Sequence, residues 1–175
     1  MPRGARLVVT GFDANGRPVV ASDQRVVGPR ANDVLGTWSA ELWKMPAMPP
    51  SLMADGIPAP KEDFPGPGGL LYRMLSIPSE KTLKDHPDEV EKHYGRRIVP
   101  DAPDYGMHRT NTVDLIIVVS GEVWCKFESS EVLLKAGDSL VQRGGIHAWR
   151  NRSDAPCVIA AIIVGAKEAW SGAAK

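Results

Sequence analysis

Cysteine is nearly absent. The 175 residues hold two, Cys125 and Cys157, both inside apolar segments with strand character. Their number and spacing give neither a disulfide framework nor a zinc motif, so they read as core thiols. Excess charge is absent as well: 21 Lys and Arg balance 21 Asp and Glu. No basic surface points to nucleic acid, and no acidic tail points to a cationic partner. No apolar run is long enough for a bilayer. The longest, residues 157–164, falls far short of the roughly 20 residues that a spanning helix needs. The opening Met-Pro-Arg-Gly-Ala-Arg runs into a short strand without the apolar stretch of a leader. The expectation is a soluble cytoplasmic protein of one ordinary domain with a core of its own. With only four histidines in the chain, where each one falls carries weight.

What is present is mainly β-strand pattern. Arg6–Thr10 and Pro18–Ala21 flank Asp13-Ala14-Asn15-Gly16, a tight-turn signal that predicts an N-terminal hairpin. Residues 36–45, with Trp38, Leu42 and Trp43, read as an edge strand. From Pro46 to Gly69 seven prolines interrupt any ladder or helix, which predicts a loop or arm over one face. Strand character resumes at 69–78. Residues 80–94 favour helix, with Pro87 at a first helical position, Asp88 and Glu89 in the first turn and Gly95 as a stop. His86 and His93 lie in this segment and read as surface histidines. These features divide the chain into 1–68, N-terminal strands and a proline-rich arm; 69–166, a barrel; and 167–175, a tail.

The stretch from Tyr105 to Asn151 carries the other two histidines. His108 precedes Val113–Val119, whose alternating residues are apolar on both faces except for Asp114, a pattern that predicts a strand buried on both sides. A carboxylate on a buried strand face costs several kcal/mol unless it is paired or bound to a cation. After two short strands around Ser129-Ser130, His147 follows Gly144-Gly145 and precedes Trp149 and Asn151. Two imidazoles are thereby delivered to one small antiparallel sheet, a way to build a site in a barrel mouth.

This stretch resembles the cupins. The family's first motif runs G-x5-H-x-H-x3–4-E-x6-G and its second G-x5-P-x-G-x2-H-x3-N. Here His108 fits the first histidine, Asp114 the glutamate position and Gly121 the closing glycine. Gly144, His147 and Asn151 fit the second motif. The chain departs where the opening glycine falls on Ala102, the second histidine is Thr110, the glutamate is an aspartate, and the proline position is Gln142 with one residue lost after Gly137. The match covers roughly residues 106–166.

The resemblance implies an all-β, double-stranded β-helix (jelly-roll) barrel with an N-terminal strand extension and one or two short helices. It also implies a metal set of His108, Asp114 and His147, two imidazoles and one carboxylate, suited to Fe, Mn, Ni or Zn. Oxygenation, decarboxylation, dehydration and isomerisation of a small organic or aromatic acid all follow from such a centre. Thr110 offers a hydroxyl where the family often has a fourth ligand. Tyr72, on a strand face shared with Met74, and Trp149 are candidate cavity walls. Arg143, like Arg150, is placed to meet a substrate carboxylate, and Asn151 to brace a strand end.

Two other readings stand beside this one. The missing second histidine favours a metal-free barrel that binds or senses a small ligand. A metal-independent epimerase type would need His108 or His147 as base and Tyr72 or Tyr105 as acid. The extra N-terminal strands predict a homodimer, because an unpaired edge is otherwise an aggregation hazard. The partners expected are thus a small molecule and a second copy, with neither nucleic acid nor membrane.

Overall fold

The computed structural model describes residues 3–50, 64–95 and 105–167. The hairpin forms as its turn predicts. Strands β1 (Ala5–Phe12) and β2 (Pro18–Val26) pair antiparallel around Gly16, whose φ of 72° is the left-handed turn conformation. Both strands run further than their apolar cores suggested, because polar residues such as Ser22 and Gln24 continue the ladder.

A five-stranded antiparallel sheet holds β3 (Trp38–Met45), β4 (Leu70–Ile77), β10 (Cys157–Gly165), β5 (Thr112–Ser120) and β8 (Ser139–Gln142), in that order. A three-stranded sheet, β7 (Glu131–Lys135), β6 (Glu122–Lys126) and β9 (Ala148–Arg150), faces it. Leu71, Ile116, Val118, Val123, Cys125, Ile159 and Ile163 fill the space between them. The result is the jelly-roll arrangement of two packed antiparallel sheets. Both cysteines are completely buried in this core and unpaired. The outer side of the large sheet carries a second cluster, in which Trp38, Ala40, Leu42 and Val158 pack against Ala5 of the hairpin.

The helical segment divides into α1 (Glu80–Asp85), capped by the Ser79 hydroxyl accepting from Thr82 N, and α2 (Pro87–Tyr94). Leu83 and Val90 are buried with Leu35. Gly95 ends α2 at a φ of 61°. The last part of the proline-rich segment, 64–69, is described; residues 51–63, and with them most of that arm, lie outside the described residues, as does 168–175 of the expected tail.

Two expectations are corrected. β5 is buried on one face only: Ile116 and Val118 point inward, whereas Leu115, Ile117 and Val119 are more than 40% exposed on the outside. On β4 the face that enters the barrel is Leu71, Arg73, Leu75 and Ile77. Tyr72 and Met74 turn outward against the hairpin side. Tyr72 therefore lines a groove under β1, not the barrel interior. Alternation defines two faces without saying which is inside, and the apolar hairpin claimed the Tyr72 face.

Candidate functional site

The two motif histidines meet just beyond the ends of regular strands. His108 N donates to His147 O and His147 N donates to His108 O, both at 2.9 Å, as an isolated antiparallel bridge. Their rings lie 4.5 Å apart between centroids, tilted by 47°. Gly144, with a φ of 68°, makes the turn that returns the chain here. A Cβ on it would come within 3.2 Å of Thr110 O, so the turn needs a residue without one.

Each imidazole has Nδ1 engaged. His108 Nδ1 is 2.8 Å from Gly106 O. His147 Nδ1 is 3.0 Å from Gly145 O and 2.7 Å from Gln142 Nε2. A ring whose Nδ1–H is held by a backbone carbonyl presents an Nε2 lone pair, the usual form of a metal-binding histidine. For His147 the Gly145 carbonyl favours that form, whereas the Gln142 amide, donating to Nδ1, favours the opposite tautomer. His147 is 3% exposed, and its burial pushes its pKa below the ordinary histidine value, so it stays neutral. His108 is exposed.

Asp114 is buried on β5, directly across from Gln142 on β8. Burial raises its pKa above the usual carboxylate value, while a hydrogen bond from Thr112 and electrostatic interaction with His147, Arg73 and His108 offset part of that. One carboxylate oxygen, Oδ1, has no hydrogen-bond partner among the described residues. Behind it on the same inner face, Arg73 pairs with Glu41 at 2.9 Å, yet Arg73 Nε and Glu41 Oε2 are also left without hydrogen-bond partners. This polar end of the barrel escaped the sequence reading. Only its strand phase could have revealed it, since Arg73 shares a face with Leu71 and Leu75.

The donor chemistry fits a divalent ion: two imidazoles and a buried carboxylate with an unsatisfied oxygen. The arrangement fits only in part, since no group of three or more His, Cys, Asp or Glu side chains able to hold a metal is assembled among the described residues. The histidines are paired, and Asp114 interacts electrostatically with both.

The remaining expected site residues separate. Trp149 stands edge-on to His147 at 5.8 Å between centroids and walls a cavity of about 1190 Å³ whose lining includes His108 and Thr110. Thr110 Oγ1 shares a 2.6 Å hydrogen bond with Thr112 Oγ1. Arg143 is exposed on the turn before Gly144 and does not line that cavity. Arg150 is buried, its guanidinium 3.5 Å above the Tyr105 ring and its Nε 4.0 Å from Glu80. Tyr105 donates to Glu80 at 2.8 Å, and burial holds the phenol well above its ordinary pKa, which makes it a poor acid. Asn151, completely buried, donates to Ile77 O and Ala155 O and so ties β9 to the end of β4.

Residues 96–164 match the family model described as a cupin domain. Among characterised relatives, the chain is 50% identical over 48 residues to "Phomopsin biosynthesis cluster protein C'" of Diaporthe leptostromiformis, covering 27% of this chain and 25% of that protein. It is 51% identical over 47 residues to "Oryzines biosynthesis cluster protein J" of Aspergillus oryzae, covering 26% of each. The matched segment spans about a quarter of the length of these relatives. Among solved structures, a putative ethanolamine utilization protein Q from Salmonella typhimurium superposes with a TM-score of 0.44 at 10% identity, covering 95% of this chain and 100% of that one.

Proposed function

The chain belongs to the cupin superfamily through its domain at 96–164, and from that premise we propose that it is a small-molecule enzyme dependent on a divalent ion. The observation that carries this reading is the histidine pair, two imidazoles 4.5 Å apart with each Nδ1 facing a backbone carbonyl. His108 and His147 would hold the ion, and Asp114 would complete the set with the oxygen that now lacks a partner. Iron, manganese, nickel or zinc suits two nitrogens and a carboxylate, and such an ion supplies Lewis-acid polarisation of a substrate oxygen.

The chain's own groups do the rest. Gly106 and Gly145 hold the rings by their carbonyls, and Trp149 shields His147 from solvent. The cavity beside His108 receives the substrate, and its apolar wall excludes water from the reacting end. Elemental analysis of the untagged protein beside His147→Ala tests the proposal. Near-stoichiometric metal that disappears in the variant supports it. Protein that stays metal-free after incubation with each ion overturns it.

The Gln142 amide supports a second reading. Its donation to His147 Nδ1 leaves the proton on Nε2 and makes the polar cluster a hydrogen-bonded brace in a metal-free, ligand-binding barrel. The same elemental analysis separates the two.

We also propose a homodimer. Leu115, Ile117 and Val119 on β5 and Val141 on β8 are 41–57% exposed and adjoin across the sheet at its β8 edge. A second copy covering this stripe would remove it from water.

A further inference from the structure

We propose that the cavity beside His108 takes a bulky, uncharged, ring-bearing molecule and not a small carboxylic acid; this rests on the reading that this cavity is the substrate site. Its volume of about 1190 Å³ lies above the roughly 300–1,000 Å³ usual for pockets that enclose drug-sized ligands. A two- or three-carbon acid would leave most of that space unfilled.

The wall supports the same class. Tyr94, Tyr105 and Trp149 supply aromatic surface, and Leu75 and Ile77 supply aliphatic surface from the inner face of β4. Ring faces and edges recognise other rings in offset or edge-on contact.

The polar groups of the wall are largely committed to the protein itself. Thr37 donates to Ser76 O and meets the Tyr94 hydroxyl, Ser76 Oγ donates to Gly36 O, and Asn151 donates to two carbonyls. The Tyr105 hydroxyl is committed to Glu80. A ligand dense in polar groups would be stripped of water there without receiving hydrogen bonds in return.

Charge points the same way. The acidic side chain at the wall, Glu80, disfavours an anion beside it. The two lining arginines, Arg30 and Arg109, are exposed at the rim, each already engaged in an interaction of its own. A single polar end near His108, on an otherwise apolar body, matches what the wall offers.

The test uses the full chain, freed of metal by a chelator, and the neutral three-ring probe N-phenyl-1-naphthylamine. Its fluorescence is titrated alone and against oxalate and benzoate. The fillers Ser39→Phe on β3 and Leu75→Trp on β4 reduce the cavity from two strands, so one remains readable if the other fails to fold. Ile117→Ser alters a separate apolar groove of about 590 Å³ on the outer sheet face.

The expected result is probe binding weakened at least tenfold by a folded filler, unchanged by Ile117→Ser, and not displaced by millimolar oxalate or benzoate. Displacement by either acid, absence of probe binding, or loss only in Ile117→Ser would overturn the proposal. Because metal is stripped throughout, these outcomes are independent of whether His108 and His147 hold an ion.

Discussion

Gln142 and Gly145 contend for one nitrogen: the amide of the first stands 2.7 Å from His147 Nδ1 and the carbonyl of the second 3.0 Å. Nδ1 cannot both accept from the amide and donate to the carbonyl, which also accepts from Gln142 Nε2 at 2.7 Å, so the ring's tautomer depends on which contact prevails. Gln142 occupies the position where the cupin motif has a proline, which offers no competing amide.

Gln142→Leu, similar in volume, removes the competing donor and leaves Nδ1–H to Gly145. The variant should bind metal several-fold more tightly than the parent, as read by chelator competition. A tenfold loss of affinity would instead show that Gln142 holds the ring in its metal-binding orientation.

Asp114 should show a trade between stability and metal binding. A buried carboxylate with an unpartnered oxygen costs on the order of 1–3 kcal/mol. Asp114→Asn should therefore raise the unfolding midpoint of metal-free protein while lowering metal affinity tenfold or more. Lower stability together with unchanged metal content would show that Asp114 braces the fold and is no ligand.

The cysteines predict an alkaline limit. Burial pushes the thiol pKa of Cys125 up to about 12 and that of Cys157 up to about 11, from 9.0 when exposed. The folded state thus keeps protons that the unfolded chain releases. Stability is fully present below pH 9 and declines as pH rises from 9 towards 11. Urea midpoints at pH 8, 9 and 10 should fall for the parent and fall less for Cys125→Ala. A thiol reagent at pH 8 should label neither cysteine in native protein and both after denaturation; rapid native labelling would contradict their burial.

Ile117→Glu addresses association. Placed in the exposed stripe of β5, the charge should shift a dimer to monomer in sedimentation at micromolar concentration without changing the circular dichroism spectrum. A parent that already sediments as a monomer would remove the dimer proposal.

The legible parts of this molecule were those written in local signals. Asn15-Gly16 specified the hairpin, Pro87 and Gly95 bounded α2, and the Gly144–His147 spacing placed that histidine opposite His108. What stayed hidden depends on contacts distant in sequence. Tyr72 and Arg73 are neighbours on one strand, and only the packing of Ala5 and Trp38 against one side decides that Arg73 enters the barrel. The Glu80–Tyr105–Arg150 cluster joins residues from a helix, a loop and a strand, with no shared spacing to announce it. The outer face of β5 looked buried because apolar residues fill it; among the described residues they remain more than 40% exposed.

Strand β10 lies between β4 and β5 and pairs with both along nearly its whole length. Among the described residues it is also the last strand in sequence order, so β4 and β5 have no common partner until it has been made. A ribosome-bound chain that stops before β10 can form the hairpin, the β3–β4 pair, the β5–β8 pair and the β6–β7 pair, but the edges of β4 and β5 that β10 joins have no backbone partner there. Joining the β3–β4 and β5–β8 halves of the large sheet is therefore a late event. Such unpaired edges, joined only by long-range contacts, are the kind that pair with the wrong partner before the sheet closes.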